Sequence, residues 1–439
     1  MLDWSAEQLA AAAGAELAAA PPGPPRRGAA RGPLRVTIDS RDVRPGDLFV
    51  GLPGTRTDGG RFTGAALSAG AWGVLVSPEH AAAAGDAPAG VVLAAGDPLA
   101  ALQRLATAWR RALGAQVVAI TGSTGKTSTK DVLKSMLGQD RRVVASEQNL
   151  NTEIGVPLTI LGAPAGTQVL VLEMAMRGSG QIAELTRIAE PDVGVIVTIG
   201  PVHLEQLGSL EAVAAAKAEL LAGLCPGATA VLPADEPLLD PHRREDLRLV
   251  TFGPGGDVTE LGGLEFPFSS AHMRSNALAA LAAARAVGAK PRGMLDVLLS
   301  ARRGQRIELP GPVVVIDDCY NANPMSMRAA LDDLAASAFG RRVAVLGDML
   351  ELGLEEVVYH EQIGAIADRC GVDVLVTVGP LAAHMAAAFD GELHAVPDAA
   401  AAAARMRELV RPGDTVLVKA SRGVGLEVVC ETLRAAEGA

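Results

Sequence analysis

Cysteine is scarce in this chain. Cys225, Cys319, Cys370 and Cys430 lie far apart and form no Cys-x-x-Cys pair. That spacing excludes a disulfide framework and codes no zinc site, and it fits reduced thiols in a cytosol. No run of about 18 apolar residues is free of Gly, Pro or charge, so no membrane span is expected. The opening Met-Leu-Asp-Trp-Ser lacks the basic stretch of a secretory leader, and a cytoplasmic location is the expectation. Net positive charge is also missing: the formal charge is −11, which argues against nonspecific nucleic-acid binding. A protein this acidic can handle phosphates only by concentrating cations locally or recruiting metal. Lysine occurs six times and asparagine five times, whereas alanine, arginine and glycine dominate, as in GC-rich coding. The lysines and asparagines that remain are candidates for chemistry.

What the chain does contain is apolar and patterned. Hydrophobic residues make up 49% and charged residues 20%, so 439 residues are enough for two to four packed domains. Residues 5–20 read as an Ala-rich helix with Ser5 as N-cap, and Pro21 to Pro33 as a mobile loop rich in Pro, Gly and Arg. Short β-branched runs then alternate with helical stretches. Examples are Gly73–Val76, Gln116–Ile120, Val169–Leu172, Val193–Val197, Val313–Ile316, Arg342–Leu346, Val372–Val376 and Thr415–Val418. Continuous apolar runs separated by helices indicate parallel sheets covered on both faces. The expected fold class is α/β with three domains, 1–114, 115–310 and 311–439. The central one is a parallel-sheet, P-loop-like domain that binds ATP, and the last is Rossmann-like.

One strand-to-helix junction carries a phosphate signal. The strand ending at Ile120 runs into Gly122-Ser123-Thr124-Gly125-Lys126-Thr127-Ser128, with a helix expected from Thr129. Glycines let backbone N–H groups converge on phosphate oxygens, and the helix N-terminus adds a favourable dipole. Lys126 would neutralise the β- and γ-phosphates and the Thr127 hydroxyl would reach Mg²⁺. The spacing is the short Gly-x-x-Gly-Lys-Thr form. Glu173 ends the next strand at the same sheet edge, as a Mg²⁺ ligand would; an ordinary strand-end acid is the alternative. His203 follows the strand after that, where a structural histidine is equally natural. Lys217 sits among alanines on a helix, where a solvated lysine is the ordinary explanation.

Five strings together resemble the Mur ligase family. They are Ile120 to Ser128, Asn149-Leu-Asn-Thr-Glu-Ile-Gly-Val-Pro-Leu-Thr159, Pro201-Val-His-Leu-Glu-Gln-Leu-Gly-Ser209, Asp317-Asp-Cys-Tyr-Asn-Ala-Asn-Pro-Met-Ser-Met327 and Val345-Leu-Gly-Asp-Met-Leu-Glu-Leu-Gly353. The resemblance spans roughly residues 35–430. It implies a ligase with ATP as cosubstrate and UDP-N-acetylmuramoyl-tripeptide and D-alanyl-D-alanine as substrates, working as a monomer. It implies catalytic roles for Lys126, His203, Lys217 and Arg306. Thr127, Glu173, His203 and Lys217 would hold Mg²⁺, two ions in all, with Lys217 carbamylated. Asn276 would meet the adenine, Arg306 the γ-phosphate and Asp318 the ribose, with Tyr320, Asn321 and Asn323 around the nucleotide. Ser40, Arg41 and Asp58 would line the pocket for the UDP end. Asn149, Asn151, Thr152, Lys419, Ser421 and Arg422 would face the other substrate groups. Gly60 stands where relatives usually carry His, and Ala271 and Met273 where they carry Gly and Asn.

Such a ligase would turn a carboxylate into an acyl phosphate at the expense of ATP, then let an amine displace phosphate. Rival expectations are a folate polyglutamylating ligase or another Mur ligase. The first should lack the Tyr320 to Pro324 string, and the group adding the third stem residue carries an Asp-Asn-Pro-Arg string absent here. A nucleotide-gated scaffold would have lost Lys126, Glu173 or His203, and all three are present.

Overall fold

A computed structural model describes residues 4–21, 31–85, 89–268 and 270–435. It contains three sheets. The first joins β1 (Glu16–Ala19), β2 (Arg35–Thr37), β3 (Asp47–Val50), β4 (Gly73–Val76) and β5 (Val91–Ala94) in the order β1-β5-β4-β3-β2. The second joins β6 (Gln116–Thr121), β7 (Val143–Ala145), β8 (Val169–Glu173), β9 (Val193–Ile196), β10 (Thr229–Pro233) and β11 (Arg248–Phe252) in the order β11-β10-β9-β6-β8-β7. The third joins β12 (Gln305–Leu309), β13 (Val313–Asp317), β14 (Arg342–Gly347), β15 (Val374–Val378), β16 (Glu392–Val396) and β17 (Thr415–Lys419) in the order β12-β13-β17-β14-β15-β16. Pairing is parallel except at two edges, β1 with β5 and β12 with β13.

One correction concerns the N-terminal segment. The helix expected over residues 5–20 covers only Ala6–Ala13, with Ser5 capping it as expected and Gly14 ending it in the left-handed conformation at φ 61°. The chain then turns into β1, because pairing with β5 outweighs the helix propensity of its alanines. The loop expected at Pro21 to Pro33 falls largely on residues 22–30, outside the described residues. The phosphate-loop helix begins at Lys126, one turn earlier than expected. Because β12 already belongs to the third sheet, we propose a division between the second and third domains a few residues before 305.

The buried strands read as continuous apolar runs because helices cover both faces. In the second sheet, Val118, Ile120, Val169 and Val171 pack with Val132, Leu133 and Met136 of the Lys126–Gly138 helix and with the alanines of the Ala271–Ala286 helix. On the opposite face, Val117, Ala119, Leu170 and Leu172 pack with Ile182, Leu185, Val213 and Leu220. That second core continues without a break into the first sheet. The Pro98–Leu113 helix bridges them through Leu102, Leu105 and fully buried Trp109, whose indole N–H donates to the Ala163 carbonyl at 3.1 Å. The third sheet has cores of its own. The first two sheets are therefore welded together, whereas the third meets the second mainly around a cavity.

In the second sheet, β6 connects to β7 on one side and its neighbour β9 connects to β10 on the other, so the connections leave adjacent carboxyl ends in opposite directions. Parallel sheets bind ligands in the crevice at such a switch point, and the Gly122 to Ser128 loop sits there.

Candidate active site

The phosphate loop is shaped by its glycines. Gly125 has φ 80°, and a Cβ there would lie 2.4 Å from Asn276 Oδ1. Neighbouring backbone pins the loop: the Ser123 hydroxyl donates to the Gly200 carbonyl at 3.0 Å and accepts from the Gly200 N–H at 2.9 Å. Thr198 Oγ1 accepts from the Thr124 N–H and donates to its carbonyl, both at 3.0 Å. The loop after β9 thereby becomes one unit with the phosphate loop. Half-buried Lys126 donates to the Gly122 carbonyl at 2.6 Å. Burial pushes its ammonium below the ordinary lysine range, Glu173 opposes that, and the Arg303 charge adds to it.

Glu173 is buried at the end of β8. One carboxylate oxygen accepts the Thr127 hydroxyl at 2.8 Å and the other accepts the Asn151 amide at 2.9 Å. Hydroxyl and carboxylate oxygens suit Mg²⁺, and Thr127 with Glu173 are already in contact. Asn151, expected against substrate, orients this carboxylate.

His203 stands in the left-handed conformation at φ 55°, and its Nδ1 lies 2.6 Å from Glu351 Oε2. Burial holds its imidazole below the usual histidine range; Glu351 opposes this, and Lys217 and Lys126 reinforce it. Lys217 is almost fully buried and has no hydrogen bond or ion pair among the described residues. Burial, then repulsion from Lys126, pushes it well below the ordinary lysine range. It is therefore no solvated helix lysine but a buried amine whose protonation is opposed by burial and by Lys126. Lys126 is the common neighbour, coupled electrostatically to Glu173, His203 and Lys217.

A cavity of about 1050 Å³ lies between the second and third sheets, and Lys126 and Thr127 face it. Ser123 to Ser128 and Asn276 line one wall; Arg306, Asp318, Asn321, Asn323 and Lys419 line the other. Arg306 donates to Asp333 at 2.9 Å and to Ser337 at 2.8 Å. The buried Lys419 ammonium lies 2.6 Å from Asp318 Oδ2 and 3.0 Å from the Asn321 carbonyl, under the loop expected to hold the nucleotide. The Asn323 side chain caps the Pro324–Ser337 helix, and buried Ser421 accepts from the Leu350 N–H at 3.0 Å. Tyr320 lies under Arg303, at 4.1 Å, with Arg422 at 5.5 Å.

Ser40, Arg41 and Asp58 belong to loops of the first sheet and do not line this cavity. Exposed Arg41 pairs with its neighbour Asp39, and Asp58 caps the turn at Gly60. The His80 ring fills the space that a side chain at residue 60 would need, with Nε2 3.4 Å from Asp58. An imidazole thus stands there after all, supplied from another segment. Asn149 and Thr152 are exposed.

Sequence reasoning missed Arg303, one of three arginines within five residues with nothing to single it out. It gave Glu351 no role, although Glu351 lies inside one of the five strings. Chain spacing also hid that the Cys319 and Cys430 thiols lie within 4.8 Å of each other and of Asp317.

Three family models match in succession: the Mur ligase family catalytic domain over residues 35–118, the Mur ligase middle domain over 120–284 and the Mur ligase glutamate ligase domain over 302–422. The UDP-N-acetylmuramoyl-tripeptide–D-alanyl-D-alanine ligase of Bacillus subtilis is 35% identical over 91% of this chain and 92% of its own length. The crystal structure of MurF from Acinetobacter baumannii aligns with a TM-score of 0.85 at 28% identity, covering 98% of this chain and 99% of that one. MurF from Thermotoga maritima in complex with ADP aligns at 0.79 with 29% identity, covering 92% and 98%.

Proposed function

The chain belongs to the Mur ligase family, and on that footing we propose that it joins D-alanyl-D-alanine to UDP-N-acetylmuramoyl-tripeptide, using ATP, to give the UDP-linked pentapeptide of peptidoglycan synthesis. The observation that carries the reading is the cavity between the second and third sheets, with the phosphate loop on one wall and, among its lining, Lys126, which is coupled electrostatically to Glu173, His203 and Lys217.

The tripeptide carboxylate attacks the γ-phosphorus in line and ADP leaves. The dipeptide amine, in its neutral form, then attacks the acyl carbon; phosphate and a proton depart, leaving an amide. Lys126 and the N–H groups of the Gly122 to Ser128 loop stabilise charge on the transferred group. Arg303 stands beside Lys126 and adds to that field. Arg306 would join it once released from Asp333. Thr127, Glu173 and His203 would hold Mg²⁺, which when bound neutralises charge on the phosphates. Buried Lys217, whose ammonium form is disfavoured by burial and by Lys126, is suited to take up CO₂ as the free amine, its nitrogen forming the C–N bond and losing a proton; the resulting carbamate would hold a second Mg²⁺. Ser40, Arg41, Asp58, Asn149 and Thr152 would serve the UDP-linked substrate, away from the nucleotide. The four cysteines are free thiols, which a reducing cytoplasm would keep so, and we place the work there.

The test is to mix protein, ATP, Mg²⁺, UDP-N-acetylmuramoyl-tripeptide and D-alanyl-D-alanine, and follow phosphate release and product mass. Phosphate release that requires both substrates, with a UDP-pentapeptide product, is expected. Turnover only with glutamate and a reduced folate, or with single amino acids and shorter UDP-linked acceptors, would keep the chemistry and overturn the substrate assignment.

A further inference from the structure

His203 and Glu351 belong to different sheets. His203 lies just past β9, in the segment Gly200 to His203 that Ser123 and Thr198 tie to the phosphate loop. Glu351 lies past β14 of the third sheet. Its loop is held from inside that domain: the Met349 N–H donates to His360 Nε2 at 2.9 Å and the Leu350 N–H to Ser421 Oγ at 3.0 Å. The two loops meet side chain to side chain at 2.6 Å. Their backbones also touch, with Glu205 N 3.5 Å from the Glu351 carbonyl.

Both residues adopt left-handed backbone conformations, φ 55° for His203 and φ 66° for Glu351. Non-glycine residues stay in that region only where their surroundings over-determine them. Here two such residues point their side chains at each other across a domain boundary. The contact also decides which imidazole nitrogen is free. With Nδ1 committed to a carboxylate, Nε2 remains as the donor, and a carboxylate on the far nitrogen is how metal-binding histidines are commonly fixed in ring orientation and tautomer.

We propose that Glu351 is a positioning residue that orients His203 for the divalent cation, so that the cation site is complete only when the third domain is docked. The inference rests on the reading of His203 as a metal ligand. Glu351 itself touches neither cation nor substrate; it acts through the ring. Arg177, 4.0 Å from the other carboxylate oxygen, helps hold Glu351 in place. The design makes closure and metal binding one event: without the third domain the imidazole keeps its place in the chain but loses its orientation.

The experiment titrates Mn²⁺ as the probe against full-length protein with ADP, read by electron paramagnetic resonance, for wild type, Glu351→Ala, Glu351→Gln and His203→Ala. Small-angle scattering and thermal melting are run on the same samples. Glu351→Ala should weaken Mn²⁺ binding about tenfold or more, and so should His203→Ala. Glu351→Gln should recover most of the loss, because its amide oxygen still accepts the imidazole N–H. Wild type should become more compact with Mn²⁺ and ADP, and Glu351→Ala should do so less. A purely structural role would lower the melting temperature of Glu351→Ala and leave its Mn²⁺ affinity intact, overturning the proposal. If His203→Ala also binds Mn²⁺ like wild type, the metal-ligand reading fails and the inference with it. Wild-type turnover in the same buffer reports separately on the ligase assignment.

Discussion

The ammonium of Lys419 lies 2.6 Å from Asp318 Oδ2, joining the end of β17 to the loop that follows β13. Lys419 is 2% exposed, so the pair is mostly shielded on the lysine side. Its other bond, to the Asn321 carbonyl, fixes the loop through Tyr320 to Asn323. Removing one partner of a buried pair leaves the other charge uncompensated. Lys419→Met should therefore cost about 3 kcal/mol and raise the KM for ATP, as read from denaturant midpoints and initial rates. Unchanged stability with a raised KM for the tripeptide would instead place Lys419 in substrate binding.

Arg303 and Arg306 should separate kinetically. Arg303 lies beside Lys126 and over Tyr320. Arg303→Ala should raise the KM for ATP about tenfold, roughly 1.4 kcal/mol. Arg306 bonds Asp333 and Ser337 in this arrangement. Arg306→Ala should leave nucleotide affinity near wild type and lower kcat. The opposite pattern in steady-state kinetics would exchange their roles.

Lys217 should respond to bicarbonate. Burial and the Lys126 charge disfavour its ammonium form, and the free amine is what takes up CO₂. Enzyme prepared in CO₂-depleted buffer should lose activity and regain it on adding bicarbonate, with a carbamate resonance from ¹³C-labelled bicarbonate. Lys217→Met should be inactive, lack the resonance and remain folded, since it removes a buried group that has no hydrogen bond or ion pair among the described residues.

His360 should make stability fall in acid. It is fully buried, its Nε2 accepts from the Met349 N–H and its Nδ1 faces the Glu356 carbonyl at 2.6 Å. Burial holds its folded pKa below the ordinary value of about 6.5. The unfolded chain therefore binds the proton first. The contribution is complete above that value and is lost as pH falls toward the folded pKa, with a slope of up to about 1.4 kcal/mol per pH unit. His203 and His272 are shifted the same way by burial and add to the slope. Denaturant midpoints at pH 7.5 and 5.5 should differ less in His360→Gln than in wild type; equal differences would assign the acid sensitivity elsewhere.

The α/β class was legible because apolar runs such as Val169–Leu172 and Val193–Val197 are continuous, which only two-sided cover explains. The phosphate loop was legible because its glycines, Lys126 and Thr127 occur between a strand and a helix. Short strands such as β2 and β7 were not, because three residues carry no period. Nor was β1, whose alanines favour helix until β5 offers them a partner. Scarcity of lysine identified Lys126, Lys217 and Lys419, but it equally marked Lys130, which is buried against Asp131 and the Ser146 carbonyl in a structural role. Contacts across domains, such as His203 with Glu351, join residues 148 positions apart, and no local pattern encodes them.

The bond from Lys126 to the Gly122 carbonyl bears on how nucleotide affinity is distributed. The ammonium carries three N–H donors and commits one of them to this carbonyl, so it is aimed before a phosphate arrives and keeps donors for it. Its charge counts most as charge builds on the group in transit. Lys126→Ala should thus yield a protein that loads nucleotide and stalls, a trap for capturing the ligase with its substrates aboard.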